Sequence, residues 1–346
     1  MFRPFGLTRA RFDSARQGDL TEAVFLRGPS RRLDLHQEAS PNLLIWFKEN
    51  PAFEAYVEPN FYGGGQNMSY KTIFTALSQD ALTKPILDHA GAMAQANDAH
   101  LEALCLGVDR SQTGYYYAGA NAMILQEVIE KAGEEALALE AFAEAQLGKT
   151  DLRWSCEHGV AQLPDVGRHA AARARFADIA VLPTPYGEDR GQEQEALVEA
   201  CLFEAGVPVL IVPEKRAPVG AYETVIIGWN ESDEALGAIR AAMPILKQAK
   251  NVHVVVIDPP KHGPNRSDPG GLLSVWLARH DVHVEIDVLS KTMPRISDVL
   301  LRHASDIDAD LIVMGAYGHS RFREAILGGA TRYMLEQSKL PVLMAH

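Results

Sequence analysis

Val313-Met314-Gly315-Ala316-Tyr317-Gly318, followed after nine residues by Gly328-Gly329, decides the reading of this chain of 346 residues. The run Ala309-Asp310-Leu311-Ile312-Val313-Met314 that leads into it is short, apolar and closed by a glycine, the pattern of a parallel strand buried on both faces. Ala330-Thr331-Arg332-Tyr333-Met334-Leu335-Glu336 beyond it has helical character. The glycines therefore lie between the carboxyl end of a strand and the amino end of a helix. There, free N–H groups and the helix dipole favour an anion, and Gly315 and Gly318 permit close backbone approach. By chance alone this spacing arises in roughly one chain in ten of this length, so its weight comes from the flanking elements.

Working outward, Glu223-Thr224-Val225-Ile226-Ile227-Gly228-Trp229-Asn230 reads as another apolar strand ending in a polar turn, with helix-like sequence from Glu234 to Leu246. Val252–Ile257 and Val282–Leu289 are further strands, Ile296–Ile307 an amphipathic helix, and Asp310–Met314 and Pro341–Met344 the last two strands. Strands alternating with helices predict a mostly parallel five-stranded sheet covered on both faces, with ligand at the carboxyl ends of the strands. Asn230 and Gly315 should both stand on that rim.

These residues resemble the universal stress protein family: a first strand with a polar end, Gly-x2-Gly-x9-Gly near the carboxyl terminus, and a final Pro-Val-Leu strand, from about Tyr222 to His346. The resemblance implies a Rossmann-like fold of the adenine nucleotide alpha hydrolase type that binds ATP with Mg²⁺. By position it places Asn230 near the ribose, Ile257 near the adenine and Met314 and Gly315 beside the nucleoside. Gly318 and Gly328 contact the phosphates, with Gly329 and Ala330 following; His319, directly after Gly318, could face a phosphate or the solvent. Two positions depart from the pattern. Asn230 replaces the usual aspartate and carries no charge. Gly329 replaces a serine or threonine, and a lost hydrogen bond to a charged group costs about 1.5–3 kcal/mol. Thr331 is close enough to substitute, or to cap the helix.

The same pattern occurs earlier in worn form. Lys71–Ser78 aligns with Glu223–Asn230, Ala177–Leu182 with Ala309–Met314, and Val207-Pro208-Val209-Leu210 with Leu340-Pro341-Val342-Leu343. Thr224 follows Thr72 by 152 positions but Pro341 follows Pro208 by 133, so the first copy is longer in its middle, near the Ala- and Glu-rich stretch from Tyr115 to Gly148. Its phosphate loop is replaced by Pro183-Thr184-Pro185-Tyr186-Gly187, where Pro183 lacks an amide hydrogen. The expected organisation is therefore two tandem α/β domains, 68–215 without a nucleotide and 221–346 with one. They would be packed as an intramolecular pseudo-dimer about a pseudo-twofold interface, and a homodimer is open to the whole chain.

A net charge of −12 argues against nucleic acid or an anionic membrane as partner. Cys105, Cys156 and Cys201 are odd in number and widely spaced, which suggests reduced thiols in a cytoplasmic protein without a zinc site, and no apolar stretch has membrane-spanning length. Residues 1–67 hold 8 Lys+Arg against 8 Asp+Glu, and the remainder 25 against 37. They lie outside both repeats and invite two readings: an over-extended reading frame ahead of a true start at Met68, or a flexible extension with short helices around Leu43–Phe53.

Other polar residues have plain alternatives. Arg321 and Arg323 could neutralise a triphosphate or simply belong to a surface loop. Asp258 could help hold a phosphate-bound metal or serve turn chemistry, and Ser232 or Asp233 reads best as a helix N-cap. His280, His283 and His303 lack metal-ligand spacing and read as surface residues. Trp229 and Trp276 read as packing residues, although Trp229 could border the nucleotide. There is no Gly-x-Ser-x-Gly elbow, no Walker lysine and no carboxylate pair, so an enzyme is the weaker reading. The leading expectation is a regulatory or stress-response protein whose ATP occupancy alters its shape or its contact with an unidentified protein partner; a nucleotide-free scaffold and a slow ATPase or adenylyl transferase are the alternatives.

Overall fold

The computed structural model describes residues 8–12, 21–27, 33–34, 69–110, 122–187, 190–259, 267–316 and 329–346. Gly318, His319, Gly328, Arg321, Arg323 and the Leu43–Phe53 stretch lie outside them. The chain falls into two compact units, Met1–Asn67 and Met68–His346. In the first, β1 (Thr8–Phe12), β2 (Thr21–Arg27) and β3 (Leu33–Asp34) form an antiparallel sheet in the order β1-β2-β3, where the sequence reading foresaw no strand.

The second unit is built on one ten-stranded sheet. Its first half runs β4 (Thr72–Leu77), α1 (Asp80–Asn97), β5 (His100–Asp109), α2 (Ala122–Leu147), β6 (Arg153–Gln162), α3 (Val166–Ala174), β7 (Ile179–Pro183), α4 (Gln192–Glu199) and β8 (Val209–Val212). Its second runs β9 (Thr224–Gly228), α5 (Asp233–Leu246), β10 (Asn251–Ile257), α6 (Gly271–Ala278), β11 (Glu285–Leu289), α7 (Ile296–Asp306), β12 (Leu311–Gly315), α8 (Gly329–Gln337) and β13 (Val342–Ala345). The 26 residues of α2 against the 8 of α6 account for much of the extra length of the first copy.

The strand order is β11-β10-β9-β12-β13-β8-β7-β4-β5-β6. Each half is parallel within itself, and the halves meet antiparallel at β13 and β8, where Leu343 pairs with Leu210, Val342 with Ile211 and Met344 with Val209. Leu210 and Leu343 are equivalent positions of the two copies, so a pseudo-twofold axis passes through that pair. The repeat extends to detail. The Asp178 carboxylate accepts from Lys71 N (2.6 Å) and Thr72 N (3.0 Å), while that of Asp310 accepts from Glu223 N (2.7 Å) and Thr224 N (3.1 Å).

Apolar runs become central strands here because both faces are covered. Val225, Ile227, Leu311 and Val313 point into a layer with α1, α2, α5 and α6; Ile226, Val255 and Ile312 point into one with α3, α4, α7 and α8. The first layer is continuous across the halves, and the buried Tyr70 hydroxyl donates to the Ala241 carbonyl of α5 at 2.7 Å.

Candidate functional site

In the second half β9 lies between β10 and β12, so the chain reverses direction across the sheet at β9/β12. Such a switch point opens a crevice at the carboxyl ends of the strands. Gly228 pairs with Met314 there, and on the α7/α8 face of the sheet it contributes no side chain: a Cβ at this position would meet Leu300 Cδ2 at 3.4 Å and Met314 Cβ at 3.7 Å. Ile257 and Met314 are half-buried on that face. Helix α7 enters from the rim, and Ser297 lies one turn above Leu300 on its buried side; the Ser297 hydroxyl is buried without a hydrogen-bond partner among the described residues. An unsatisfied buried hydroxyl costs about 1–3 kcal/mol. The guanidinium of Arg295, just before α7, lies 3.9 Å from the centre of the Tyr333 ring of α8. Helix α8 opens on Gly329 and Ala330, with Ala330 exposed and Thr331 buried.

The expected site residues divide by what the fold does with them. Asn230 is exposed just beyond β9, and its Oδ1 accepts from Ser232 N at 3.2 Å, an Asx turn that leads into α5. Ser232 is the N-cap, its hydroxyl accepting from Ala235 N at 3.1 Å. Gly315 faces the opposite side of the sheet from Met314: a Cβ there would lie 2.5 Å from Ala235 N and 2.7 Å from Glu234 C. Its lack of a side chain is thus required by the first turn of α5 before any ligand is considered. Asp258 is exposed with φ 50° and donates its N–H to the Leu289 carbonyl at 2.8 Å, serving the turn. Trp229 and Trp276 pack against the α5/α6 layer.

The matching rim of the first half is filled by its own side chains. Ser78, the counterpart of Asn230, is buried, and its hydroxyl accepts from Gln194 Nε2 at 2.8 Å. Glu193, in the first turn of α4, is almost completely buried, and its carboxylate accepts from Arg110 Nη2 (2.7 Å), Arg110 Nε (3.2 Å) and Gln79 Nε2 (3.3 Å). That carboxylate also lies against Gly191, where a Cβ would collide with it. A built-in carboxylate with its own arginine thus occupies the amino end of the helix equivalent to α8.

Sequence reasoning placed His303 on the surface. Instead its Nε2 is 2.8 Å from Asp287 Oδ2, which is also 2.9 Å from His253 Nδ1. These residues come from α7, β11 and β10, and no spacing rule links them; only the strand register does. Gly228 and Ser297 were missed for a similar reason, since neither belongs to a motif.

Residues 221–346 match the sequence model of the Universal stress protein family. A universal stress protein from Synechocystis sp. strain PCC 6803 is 27% identical over 92 residues; the match spans 27% of this chain and 31% of that protein, so less than a third of that relative is covered. A universal stress protein from Archaeoglobus fulgidus DSM 4304 has a similar fold, with a TM-score of 0.61 at 13% identity over 79% of this chain and 97% of that one. A universal stress protein whose structure was solved in complex with cAMP is 26% identical, covering 36% of this chain and 98% of that one with a TM-score of 0.29. The match to 221–346, on a fold that repeats the same strand order in 72–212, identifies the second half of the sheet as a domain of the universal stress protein family.

Proposed function

We propose that the second half binds an adenine nucleotide, ATP with Mg²⁺, at the β9/β12 crevice, and that its occupancy regulates contact with another protein. The observation that carries this reading is the contrast between the two rims. Where the first half buries Glu193, Gln194 and Ser78, the second has Gly228, an exposed Ala330 and an exposed Asn230, and a buried Ser297 hydroxyl with no partner among the described residues. Ile257 and Met314 supply apolar surface for a base. In this reading Asn230 meets a ribose hydroxyl, and the amides of Gly315, Gly318, Gly328, Gly329 and Ala330, with His319, take the phosphate chain. The sequence carries no Gly-x-Ser-x-Gly elbow and no Walker lysine, and the role in this reading is binding rather than turnover. Residues 68–215 then act as the permanent partner of 221–346, and the setting is the cytoplasm.

The test is calorimetry of ATP and Mg²⁺ with the full chain and with Gly318→Val, together with mass spectrometry of any nucleotide released on denaturing the protein. Binding lost in the variant is expected. A native protein that releases no nucleotide and gives no heat would overturn the reading in favour of a tandem scaffold. Turnover above the Gly318→Val background would make the protein an enzyme instead.

A further inference from the structure

We propose that His253, Asp287 and His303 form a binding site for a divalent transition-metal ion of the zinc type, which clamps α7 to β10 and β11. Val255 pairs with Asp287 in the parallel β10/β11 register. His253, two residues before Val255, therefore shares a face with Asp287 and lies diagonally from it, and α7 lays His303 over both. The ligand atoms all lie within 4.8 Å of one another, and the imidazole rings meet edge to face with centres 6.4 Å apart. The side chains are 14%, 23% and 17% exposed, so the group is largely dry yet reachable from one side.

Two imidazoles and a carboxylate are a borderline donor set suited to zinc and its neighbours and a poor one for magnesium or calcium. Tetrahedral bonds of about 2.0–2.1 Å set ligand atoms about 3.3 Å apart. Each N···O separation would widen by about 0.4–0.5 Å, within reach of small χ rotations. In the bound form His253 Nδ1 and His303 Nε2 present their lone pairs to the ion, and each ring carries its proton on its other nitrogen. Three protein ligands leave a fourth position for water, or for Glu285, whose carboxylate is 4.0 Å from His253 Nδ1.

This site is separate from the nucleotide crevice. His253 is four residues below Ile257 on β10, about 13 Å, and His303 is six residues along α7 from Ser297, about 9 Å. The ion would not touch a nucleotide, but it would fix the helix that carries Ser297 and Leu300 to the rim.

The experiment uses the untagged full chain, stripped with a chelator and titrated with Zn²⁺ by calorimetry and with Co²⁺ by visible absorption. One equivalent per chain is expected, with a rise in Tm on adding Zn²⁺. Affinity should fall by at least about a hundredfold in His303→Gln and Asp287→Asn, the upper end of the loss caused by removing a merely supporting group. Folded wild-type protein that binds neither ion, or binding unchanged in both variants, would overturn the proposal. Should a variant fail to fold, the wild-type Co²⁺ spectrum decides: intense four-coordinate bands without thiolate charge transfer support the site, and their absence refutes it.

Discussion

Replacing Gly315 by alanine tests whether that glycine is required by packing as well as by any ligand. The new methyl group would sit 2.5 Å from Ala235 N, 2.7 Å from Glu234 C and 3.0 Å from Ala235 Cα. All three are backbone atoms in the first turn of α5, which is held by the Ser232 cap and by the buried Ala235 and Ala238. No side chain can rotate away, so α5 must shift. Overpacking of this kind costs about 1–3 kcal/mol, which at roughly 2 °C per kcal/mol for a unit of this size lowers Tm by about 2–6 °C. Gly228→Ala is the control. Its methyl group would meet only Leu300 Cδ2 at 3.4 Å and more distant atoms, and a strand glycine replaced by alanine should change stability by less than about 1 kcal/mol. Urea unfolding without nucleotide separates packing from binding. A Gly315→Ala midpoint equal to that of the wild type would refute the argument that α5 presses on this residue.

Two further outcomes follow from buried titratable groups. His89 is buried in α1 with its Nε2 2.9 Å from the Arg216 carbonyl, and burial holds its pKa below the ordinary 6.5. The unfolded chain therefore binds a proton that the folded one resists, so stability present above pH 6.5 declines as pH falls below it towards the folded pKa; His89→Gln should flatten that decline, and parallel pH profiles by chemical denaturation would count against it. Among the thiols, Cys201 is fully buried with its pKa pushed up to about 12, and Cys105 is held protonated by its hydrogen bond to Cys156, whose sulfur is 3.5 Å away. Cys156 is half-buried and ionises first because its thiolate accepts that bond. Timed alkylation with mass mapping should find Cys156 modified first and Cys201 only on unfolding; early labelling of Cys201 would contradict the burial.

The parts of this fold legible in the sequence were those written locally. Val225–Ile227 and Leu311–Val313 are apolar on both faces, which marks central parallel strands without knowledge of their neighbours, and Ser232 before Asp233 and Glu234 marks a helix start. The duplication was visible because the final strands share Pro-Val-Leu. The rest depends on register. Gly315 looked like a ligand residue because its glycine spacing is visible, while its contact with Ala235 is not. Ser297 carries no motif, and its meaning comes from lying one turn above Leu300 over Gly228. Glu193 and Arg110 are 83 positions apart, so sequence alone could suggest that the first rim lacked a phosphate loop but not that it holds its own anion. His303 gained partners only when β10 and β11 aligned Val255 with Asp287. The strands of residues 8–34 follow no alternation strong enough to announce them.

The antiparallel pairing of β8 with β13 has a consequence in mass action. Had the two copies been separate chains, an association through these strands would weaken on dilution, and the fraction folded would depend on expression level. With both on one polypeptide, the second encounter is intramolecular, at an effective concentration set by the short connection from Val212 to Thr224. The pairing then survives at any cellular abundance. One copy is thereby free to change at its rim without losing its fold, and the Glu193 and Arg110 pair is what such a copy can accumulate.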